Sequence, residues 1–232
     1  MPVVFVHGLG GSYRAWSAQL DALRPTRRAA ALDLRGHGES DAPSNGDYSV
    51  PALADDIETV VSLLGFEKVY LVGHSMAGLV LTAYAARHPE NVAGMVFVDA
   101  LGDLQRLSRE EQEAFVAVGT DPRIDLRKLY EDICGQRARP ATRGRVIEQL
   151  DEMKPGAFAA LRKAMVDYSP WPDANHYNGP RSCIDAEGND SLVDAWALYQ
   201  GVPRKRIPNA SHWLMMDDPE TFNKMLEGFI SP

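Results

Sequence analysis

Short apolar segments alternate with stretches of helical spacing along the first hundred residues, and this alternation constrains the fold more than any other feature. Segments Val3–Val6, Ala29–Leu32, 69–72 and 95–98 have the length and composition of buried strands. Strands that are apolar on both sides must be covered on both faces, and helices between them make the connections parallel. The sequence therefore predicts an α/β protein with a mostly parallel sheet and helices on both faces.

The helical stretches between these strands carry start and stop signals. Segment 13–23 has its large apolar residues on one side. An apolar stripe over 53–64 follows Pro51, a residue suited to a first helical turn, and Gly65 ends it. Segment 76–87 is rich in small residues and stops before a proline. These signals predict a strand–helix repeat that ends in a strand.

The alternation breaks after residue 100. Residues 101–170 have helical character without a strand between, and Ser108 to Glu111 has the form of a capping box. We expect about four helices there, forming an all-helical cap inserted into the core. The strand–helix order returns with strands at Arg181–Ala186 and Arg204–Ile207. The predicted domains are therefore a core of residues 1–100 and 171–232 and a cap of residues 101–170.

Composition excludes several classes of protein. The chain has 232 residues and a net charge of −8, so an acidic surface argues against nucleic acid as a partner. Its two cysteines form neither a metal-ligand pattern nor a disulfide framework, which fits a reducing compartment. It has no apolar run of about 20 residues and no signal-peptide pattern at its start. We expect a cytoplasmic monomer or homodimer without membrane association.

A serine between small residues lies at a strand–helix junction. The pentapeptide 73–77 reads GHSMA, with Ser75 at its centre, and it joins strand 69–72 to helix 76–87. Small flanking residues let the chain turn sharply and lift the serine oxygen clear of the sheet edge. The turn places the hydroxyl at a helix N-terminus, where negative charge is stabilised. This context predicts a nucleophilic serine rather than a simple helix cap.

With these residues in place, the chain resembles the α/β-hydrolase superfamily over nearly its whole length. The family pattern is Gly-x-Ser-x-Gly, and this sequence has Ala77 at the last position with Gly78 directly after it. The resemblance implies that Ser75 is the nucleophile. It also implies that the backbone N–H groups of Leu9, in the glycine-rich turn 7–11, and of Met76 form an oxyanion hole.

A serine nucleophile needs a base, and in this superfamily the chain order is serine, acid, histidine. His212 lies in a loop just after the final strand and is the predicted base. The other five histidines lie in turns before the serine, beside it, at a helix end or in the linker that leaves the insertion: His7, His37, His74, His88 and His176.

The acid has more than one candidate. Segment 180–190 is similar to the family's strand and loop ahead of the acid, and Asp190 matches the acid position, 22 residues before His212. Asp99 is the alternative, because some relatives place the acid after the strand at 95–98. Asp185 and Glu187 are further alternatives. We predict Asp190 as the acid and a structural role for Asp185, which falls within a strand.

Two departures from the family pattern affect the predicted fold. The resemblance implies that the first strand corresponds to the family's third, so we expect a sheet without the N-terminal hairpin, with six parallel strands and Ala29–Leu32 at the edge. We hypothesise that this edge is kept short or is covered by a neighbouring subunit. The inserted cap should roof the active site. Three of its residues, and Trp171 directly after it, could line an apolar pocket or pack the roof itself; the three are Met153, Phe158 and Tyr168.

The turn at 33–40, which reads DLRGHGES, is common in the superfamily. We interpret it as a structural turn whose aspartate and arginine tie loops together, with a direct substrate role as the alternative.

The predicted function is a serine hydrolase that cleaves a small, fairly apolar carboxylic ester without a metal or organic cofactor. Lactonase, thioesterase, carbon–carbon hydrolase, hydroxynitrile lyase-like and perhydrolase chemistry use the same residues and remain alternatives. Serine in place of aspartate argues against dehalogenase or epoxide hydrolase chemistry. A slow-turnover ligand receptor on the same fold is the alternative of a different class.

Overall fold

The computed structural model describes residues 1–189 and 193–230. Within these residues six strands form one sheet, and every pairing between them is parallel. The strands are β1 Val3–Val6, β2 Ala29–Leu32, β3 Val69–His74, β4 Val92–Val98, β5 Arg181–Ala186 and β6 Arg204–Ile207. Their order across the sheet is β2-β1-β3-β4-β5-β6, which confirms the predicted fold class and places β2 at an edge.

Helices surround this sheet and fill the insertion between β4 and β5. They are α1 Ser17–Leu23, α2 Val50–Leu63, α3 Ala77–Arg87, α4 Arg109–Ala117, α5 Leu126–Cys134, α6 Pro140–Asp151, α7 Ala157–Asp167, α8 Trp171–Ala174, α9 Ala195–Leu198, α10 Leu214–Asp217 and α11 Pro219–Ile230. The segment 101–170 thus contains α4 to α7. Its treatment as a domain separate from the core stays a prediction.

The sheet divides the core into two apolar layers. Val4 and Val6 of β1 pack into one layer with residues of α2 and α3, while Val3 and Phe5 pack into the other with residues of α1 and α11. Alternate side chains of a strand point to opposite faces, so a wholly apolar strand needs both layers. This is the physical reason why the apolar runs predicted a doubly covered parallel sheet.

Local signals explain where two of the helices begin. The Ser49 side chain accepts a hydrogen bond from the Ala52 N–H, and a proline occupies the first turn of α2. The capping box predicted at the start of α4 is present, with reciprocal bonds between Ser108 and Glu111. Both helices therefore start where the sequence placed them.

Strand β4 begins at Val92, three residues earlier than predicted. The added residues include Gly94, and a glycine inside a strand weakens the strand signal in a sequence. The Gly94 backbone runs beside the Tyr70 ring, and a Cβ on Gly94 would lie 3.0 Å from that ring. The glycine thus permits close packing between neighbouring strands.

Helix α9, between β5 and β6, is short and covers only Ala195–Leu198. Within the described residues, no helix has the length and apolar character that a membrane crossing requires.

Candidate active site

The carboxyl ends of three strands bring together residues that lie far apart in the sequence. Ser75 directly follows β3, Asp99 directly follows β4, and His212 lies in the loop after β6. In a parallel sheet these ends lie along one edge, where ligands bind in open α/β folds.

Ser75 occupies a sharp turn between β3 and α3. Its φ of 53° is in the left-handed region, which is unusual for a residue other than glycine. The Ser75 N–H donates to the Val98 carbonyl at 3.1 Å, and the Ser75 carbonyl accepts from the N–H groups of Gly78 and Leu101. These bonds hold the strained backbone that the predicted nucleophile elbow requires.

The glycine that closes this turn is Gly78 rather than the residue at position 77. A Cβ on Gly78 would lie 2.1 Å from the Leu101 carbonyl oxygen, a distance that no side chain could adopt. Ala77 is fully buried, and a Cβ added to Gly73 would lie 3.0 Å from the Cβ of Ala77. The turn thus accommodates alanine at position 77 because glycines at 73 and 78 permit the close approach.

The carboxylate beside His212 belongs to Asp99. His212 Nδ1 lies 2.7 Å from Asp99 Oδ2, and the Asp99 side chain is only 4% exposed. Like Ser75, Asp99 follows its strand directly with a positive φ, 44°. Asp190, the predicted acid, lies outside the described residues. The alternative acid is therefore the residue that makes this contact.

Further hydrogen bonds orient the Asp99 carboxylate. Asn189 Nδ2 donates to Oδ2 at 2.6 Å, and the Ala186 N–H donates to Oδ1 at 3.2 Å. Because both oxygens accept bonds from the end of β5 or the residues after it, the carboxylate is fixed in the orientation that meets the His212 ring.

Asp185 contacts the backbone of Asp99, the residue whose carboxylate meets His212. Its Oδ1 accepts from the Asp99 N–H at 3.1 Å, and its Oδ2 accepts from Arg204 Nε at 2.6 Å. Burial and the negative charge of Asp99 raise the pKa of Asp185 to about 6. The predicted structural role of Asp185 agrees with these contacts, which join β5 to the residue that orients His212.

The His74 side chain contacts the loop that carries His212. Its Nε2 lies 2.9 Å from the His212 carbonyl oxygen, and the two rings are 4.5 Å apart. Burial, together with the neighbouring His212, lowers the pKa of His74 well below its ordinary value. His74 is therefore neutral at physiological pH, and its Nε2–H donates to the carbonyl.

The glycine-rich turn after β1 is fixed on both sides of Leu9. The Gly8 carbonyl accepts from the Gly11 N–H at 3.0 Å and lies 2.8 Å from His7 Nδ1. Since a peptide unit is planar and trans, the Leu9 N–H points away from these two groups. A Cβ on Gly8 would lie 2.8 Å from the Ser75 Cβ, so this peptide lies against the serine.

The next peptide is held by one residue of the core and one of the cap. The Gly10 N–H donates to His37 Nε2 at 3.3 Å, and the Tyr130 hydroxyl of α5 donates to the Leu9 carbonyl at 2.9 Å. Within the described part of the chain, the N–H groups of Leu9 and Met76 make no hydrogen bond. Both predicted oxyanion donors thus remain available to a ligand in the cavity that they line.

The turn 33–40 agrees with its structural interpretation. Asp33 accepts from the N–H groups of Tyr13, at 2.7 Å, and of Glu39, at 2.9 Å. Arg35 forms a paired contact with Asp56 of α2, with a shortest distance of 2.7 Å. These bonds tie the turn to its neighbours and leave the two charged side chains occupied.

A cavity of about 190 Å³ lies over Ser75 between core and cap. Its lining comes from the turn after β1, the Ser75 turn, the His212 loop and the cap: Leu9, His74, Ser75, Met76, Leu101, Phe115, Tyr130, Ile133, Arg162, Met165, His212 and Trp213. Ser75 and His212 both line it, although no hydrogen bond joins their side chains among the described residues. Such bonds are often long in unliganded enzymes.

The cap residues that line this cavity differ from those proposed from the sequence. Of the described residues, the lining omits Met153, Phe158, Tyr168 and Trp171. Phe158 packs against Tyr130, with ring centroids 6.1 Å apart, whereas Trp171 is exposed. Of the two roles that the sequence left open for these residues, the cavity lining therefore favours packing of the roof over a place in this pocket.

Arg162 is a pocket residue that the sequence reasoning missed. It follows Phe158 by four residues and precedes Met165 by three, and both of these are buried. Residues at these spacings share one face of a helix. An arginine on the inward face of α7 was thus a readable signal of a functional charge.

Comparison with known proteins places the chain in a family. Residues 1–129, more than half of the sequence, match the family described as alpha/beta hydrolase fold. "Epoxide hydrolase 4" of Mus musculus is 33% identical over 271 residues, which cover 98% of this chain and 72% of that protein. The chain therefore belongs to the alpha/beta hydrolase family.

Other relatives agree over nearly the full sequence. The "Putative 2-succinyl-6-hydroxy-2,4-cyclohexadiene-1-carboxylate synthase" of Bacillus subtilis (strain 168) is 27% identical, with 99% of this chain and 90% of that protein covered. A thermophilic esterase structure from Thermogutta terrifontis has a TM-score of 0.85 at 24% identity, covering 99% of this chain and 89% of that one. Proteins named as hydrolases thus occur among both sequence relatives and structures of the same fold.

Proposed function

We propose that the protein is a serine hydrolase that cleaves small carboxylic esters through an acyl-enzyme. The observation that carries this proposal is the 2.7 Å contact between His212 Nδ1 and Asp99 Oδ2, beside a cavity that Ser75 lines. With Nδ1–H donated to Asp99, His212 Nε2 is free to accept a proton. The acid in this proposal is Asp99 in place of Asp190.

The reaction proceeds in two halves. Ser75 Oγ attacks the ester carbonyl carbon while its proton passes to His212 Nε2, and the N–H groups of Leu9 and Met76 bind the oxyanion. The tetrahedral intermediate collapses, and the proton on His212 leaves with the alcohol. Water then attacks the acyl-enzyme by the same route and releases the acid. Asp99 stabilises the charged His212 ring throughout.

Ester chemistry fits a serine better than epoxide opening does, although a relative is named an epoxide hydrolase. Attack of Ser75 on an epoxide carbon would leave an ether, which water does not cleave under mild conditions. Attack on an ester leaves an acyl group that water removes. We therefore expect no turnover of epoxides.

The cavity volume limits the substrate. Pockets for drug-sized ligands span about 300–1,000 Å³, whereas the space over Ser75 is about 190 Å³. A short acyl or alcohol group fits this space better than a long chain does.

Hydrolysis of 4-nitrophenyl acetate and butyrate tests the proposal. Ser75→Ala should lower kcat/KM by about 10³-fold or more, because the nucleophile is lost. Ser62→Ala is the matched control, since Ser62 is exposed on α2. Full activity of Ser75→Ala would refute the proposal. A burst of one equivalent without further turnover would favour a slow-turnover receptor.

The identity of the acid has its own comparison. Asp99→Asn should lower kcat/KM by about 10³-fold or more, because the amide cannot stabilise the protonated His212 ring. Asp190→Asn should cause a much smaller loss. An equal or larger loss for Asp190→Asn would return the role of the acid to Asp190.

A further inference from the structure

Arg162 is a cation on the inward face of the cap whose charge has no counterpart. It lines the cavity over Ser75 and is half-buried on α7. Its Nε donates to the Phe115 carbonyl at 2.6 Å, and its guanidinium carbon lies 3.7 Å from the centre of the Phe115 ring. Within the described residues no carboxylate contacts it.

This environment is costly for a charge. Burial lowers the pKa of Arg162 to about 10, so the group stays protonated at neutral pH although water has been removed from it. The rings of Phe115 and Phe158 offset part of this cost, with the latter 5.7 Å away. The two terminal nitrogens make no hydrogen bond in the described part of the chain, and Arg162 is one of the residues that line the cavity.

Three other cap arginines differ from Arg162, because each of them has a carboxylate partner. Arg109 pairs with Glu113, Arg123 with Asp121 and Arg127 with Asp151, and each of them is largely exposed. An arginine that contributed only charge to the surface would follow that pattern. Arg162 instead lines the same cavity as Ser75, and its guanidinium carries a planar pair of donors.

We propose that Arg162 binds a carboxylate carried by the substrate, so that the preferred substrate is a small ester or lactone with one free carboxylate. This inference rests on the proposed serine hydrolase function. A guanidinium recognises a carboxylate through two parallel hydrogen bonds, and removal of water strengthens that pairing. The single arginine and the small cavity favour a monoanion over a more highly charged group.

Two isosteric pairs of small esters test where the carboxylate lies. Monoethyl succinate and ethyl succinamate differ only in a carboxylate or amide on the acyl side. O-acetylglycolate and O-acetylglycolamide differ in the same way on the alcohol side. In at least one pair, the wild-type kcat/KM for the anion, measured in a pH-stat, should exceed that for the amide by about tenfold or more.

Arg162→Met should abolish this preference while it leaves hydrolysis of the amide partner within about threefold, because methionine keeps the apolar stem. Arg162→Lys should retain part of the preference. Arg109→Met removes the same charge from an exposed cap position and should change neither rate. The inference would be overturned if the wild type hydrolysed anion and amide at equal rates in both pairs. It would also be overturned if Arg162→Met lowered kcat/KM equally for the anion and for its amide partner.

Binding to Ser75→Ala provides a readout that needs no turnover. Calorimetry should give a Kd for succinamate at least about tenfold below that for neutral succinamide, and Arg162→Met in the same background should remove the difference. Equal affinities would contradict the inference on their own. If the wild-type protein hydrolyses no neutral ester in a way that depends on Ser75, the proposed function is contradicted. The binding measurement would then still test the carboxylate site by itself.

Discussion

Two carboxylates, those of Asp99 and Asp185, lie next to each other near His212, and their surroundings differ. Asp99 accepts bonds from His212 and Asn189, whereas Asp185 is buried next to the charge of Asp99. The Asp99 N–H and Arg204 donate to Asp185 and stabilise its charged form. Burial outweighs them, because the pKa of Asp185 is raised to about 6.

This raised pKa predicts a stability difference with a definite sign. Between about pH 4 and about pH 6 the folded protein holds a proton on Asp185 that the unfolded chain releases. Relative to Asp185→Asn, the wild-type free energy of unfolding should therefore fall as the pH rises through this window, by on the order of 2 kcal/mol. Denaturant titrations of both proteins at several pH values measure the difference in slope.

Asp218 is a control with the opposite sign. The Thr221 side chain and N–H lower the pKa of Asp218 by hydrogen bonding. The stability that the charged Asp218 side chain contributes should be lost as the pH falls. The difference in free energy of unfolding between the wild type and Asp218→Asn should therefore change at acidic pH and stay constant between pH 5 and pH 6. A wild-type curve parallel to that of Asp185→Asn throughout would show that burial does not raise the pKa of Asp185.

At the scale of elements, the junction of β3 with α3 depends on one close backbone contact. Gly78, in the first turn of α3, leaves no room for a side chain beside the Leu101 carbonyl. Leu101 itself donates its N–H to the Ser75 carbonyl, so the same contact supports the serine turn.

Gly78→Ala should therefore lower the free energy of unfolding by about 2 kcal/mol or more, because the backbone of α3 or the chain near Leu101 must move. Gly144 of α6 is the matched position, exposed and with open space around it. Gly144→Ala should raise stability by about 0.5–1 kcal/mol through helix propensity alone. Thermal and denaturant unfolding measure both changes, and destabilisation of equal size in the two variants would contradict the steric explanation.

At the scale of the whole molecule, polar contacts join the cap to the turn that follows β1 and to the residues after that turn. Gln149 of α6 accepts from the Ser12 N–H at 2.7 Å, and Arg14 pairs with Glu152 at 2.5 Å. Tyr130 of α5 bonds to the Leu9 carbonyl. The cap therefore fixes the turn that carries one of the proposed oxyanion donors.

Tyr130→Phe should lower kcat for 4-nitrophenyl acetate by about three- to tenfold with a smaller change in KM, because one hydrogen bond that orients the Leu9 peptide is lost. Tyr168→Phe is the control: its hydroxyl bonds to Asp173, and it does not line the cavity over Ser75. The free energy of unfolding should fall by about 1 kcal/mol in each variant. A similar kcat for both variants would show that the cap does not orient the turn.

Much of this arrangement was readable from the sequence, because its signals are local. Apolar strands predicted the parallel sheet, and Ser75 stood between a strand and a helix with small neighbours on either side. The order of the sequence also singled out His212 among the histidines. The predictions of the sheet and of the serine turn depend on residues that are neighbours along the chain, where steric and hydrogen-bonding preferences act directly. The prediction of His212 depends on the order of residues in the superfamily that the chain resembles.

Only the tertiary structure decided which carboxylate meets His212 and which cap residues face Ser75. In the sequence Asp99 and Asp190 follow neighbouring strands, so strand order alone could not separate them. In the structure Asp99 has a positive φ and accepts hydrogen bonds from Ala186 and Asn189, and its carboxylate is thereby turned toward the His212 ring. Arg162 likewise gains its significance from the way α7 packs over the cavity. The sequence determined the fold class and the candidate nucleophile through local chain chemistry, and the candidate base through its place in the order of residues that the superfamily shares. The partner of His212 and the charge above Ser75 depend on distances between segments far apart in the chain, which only packing sets.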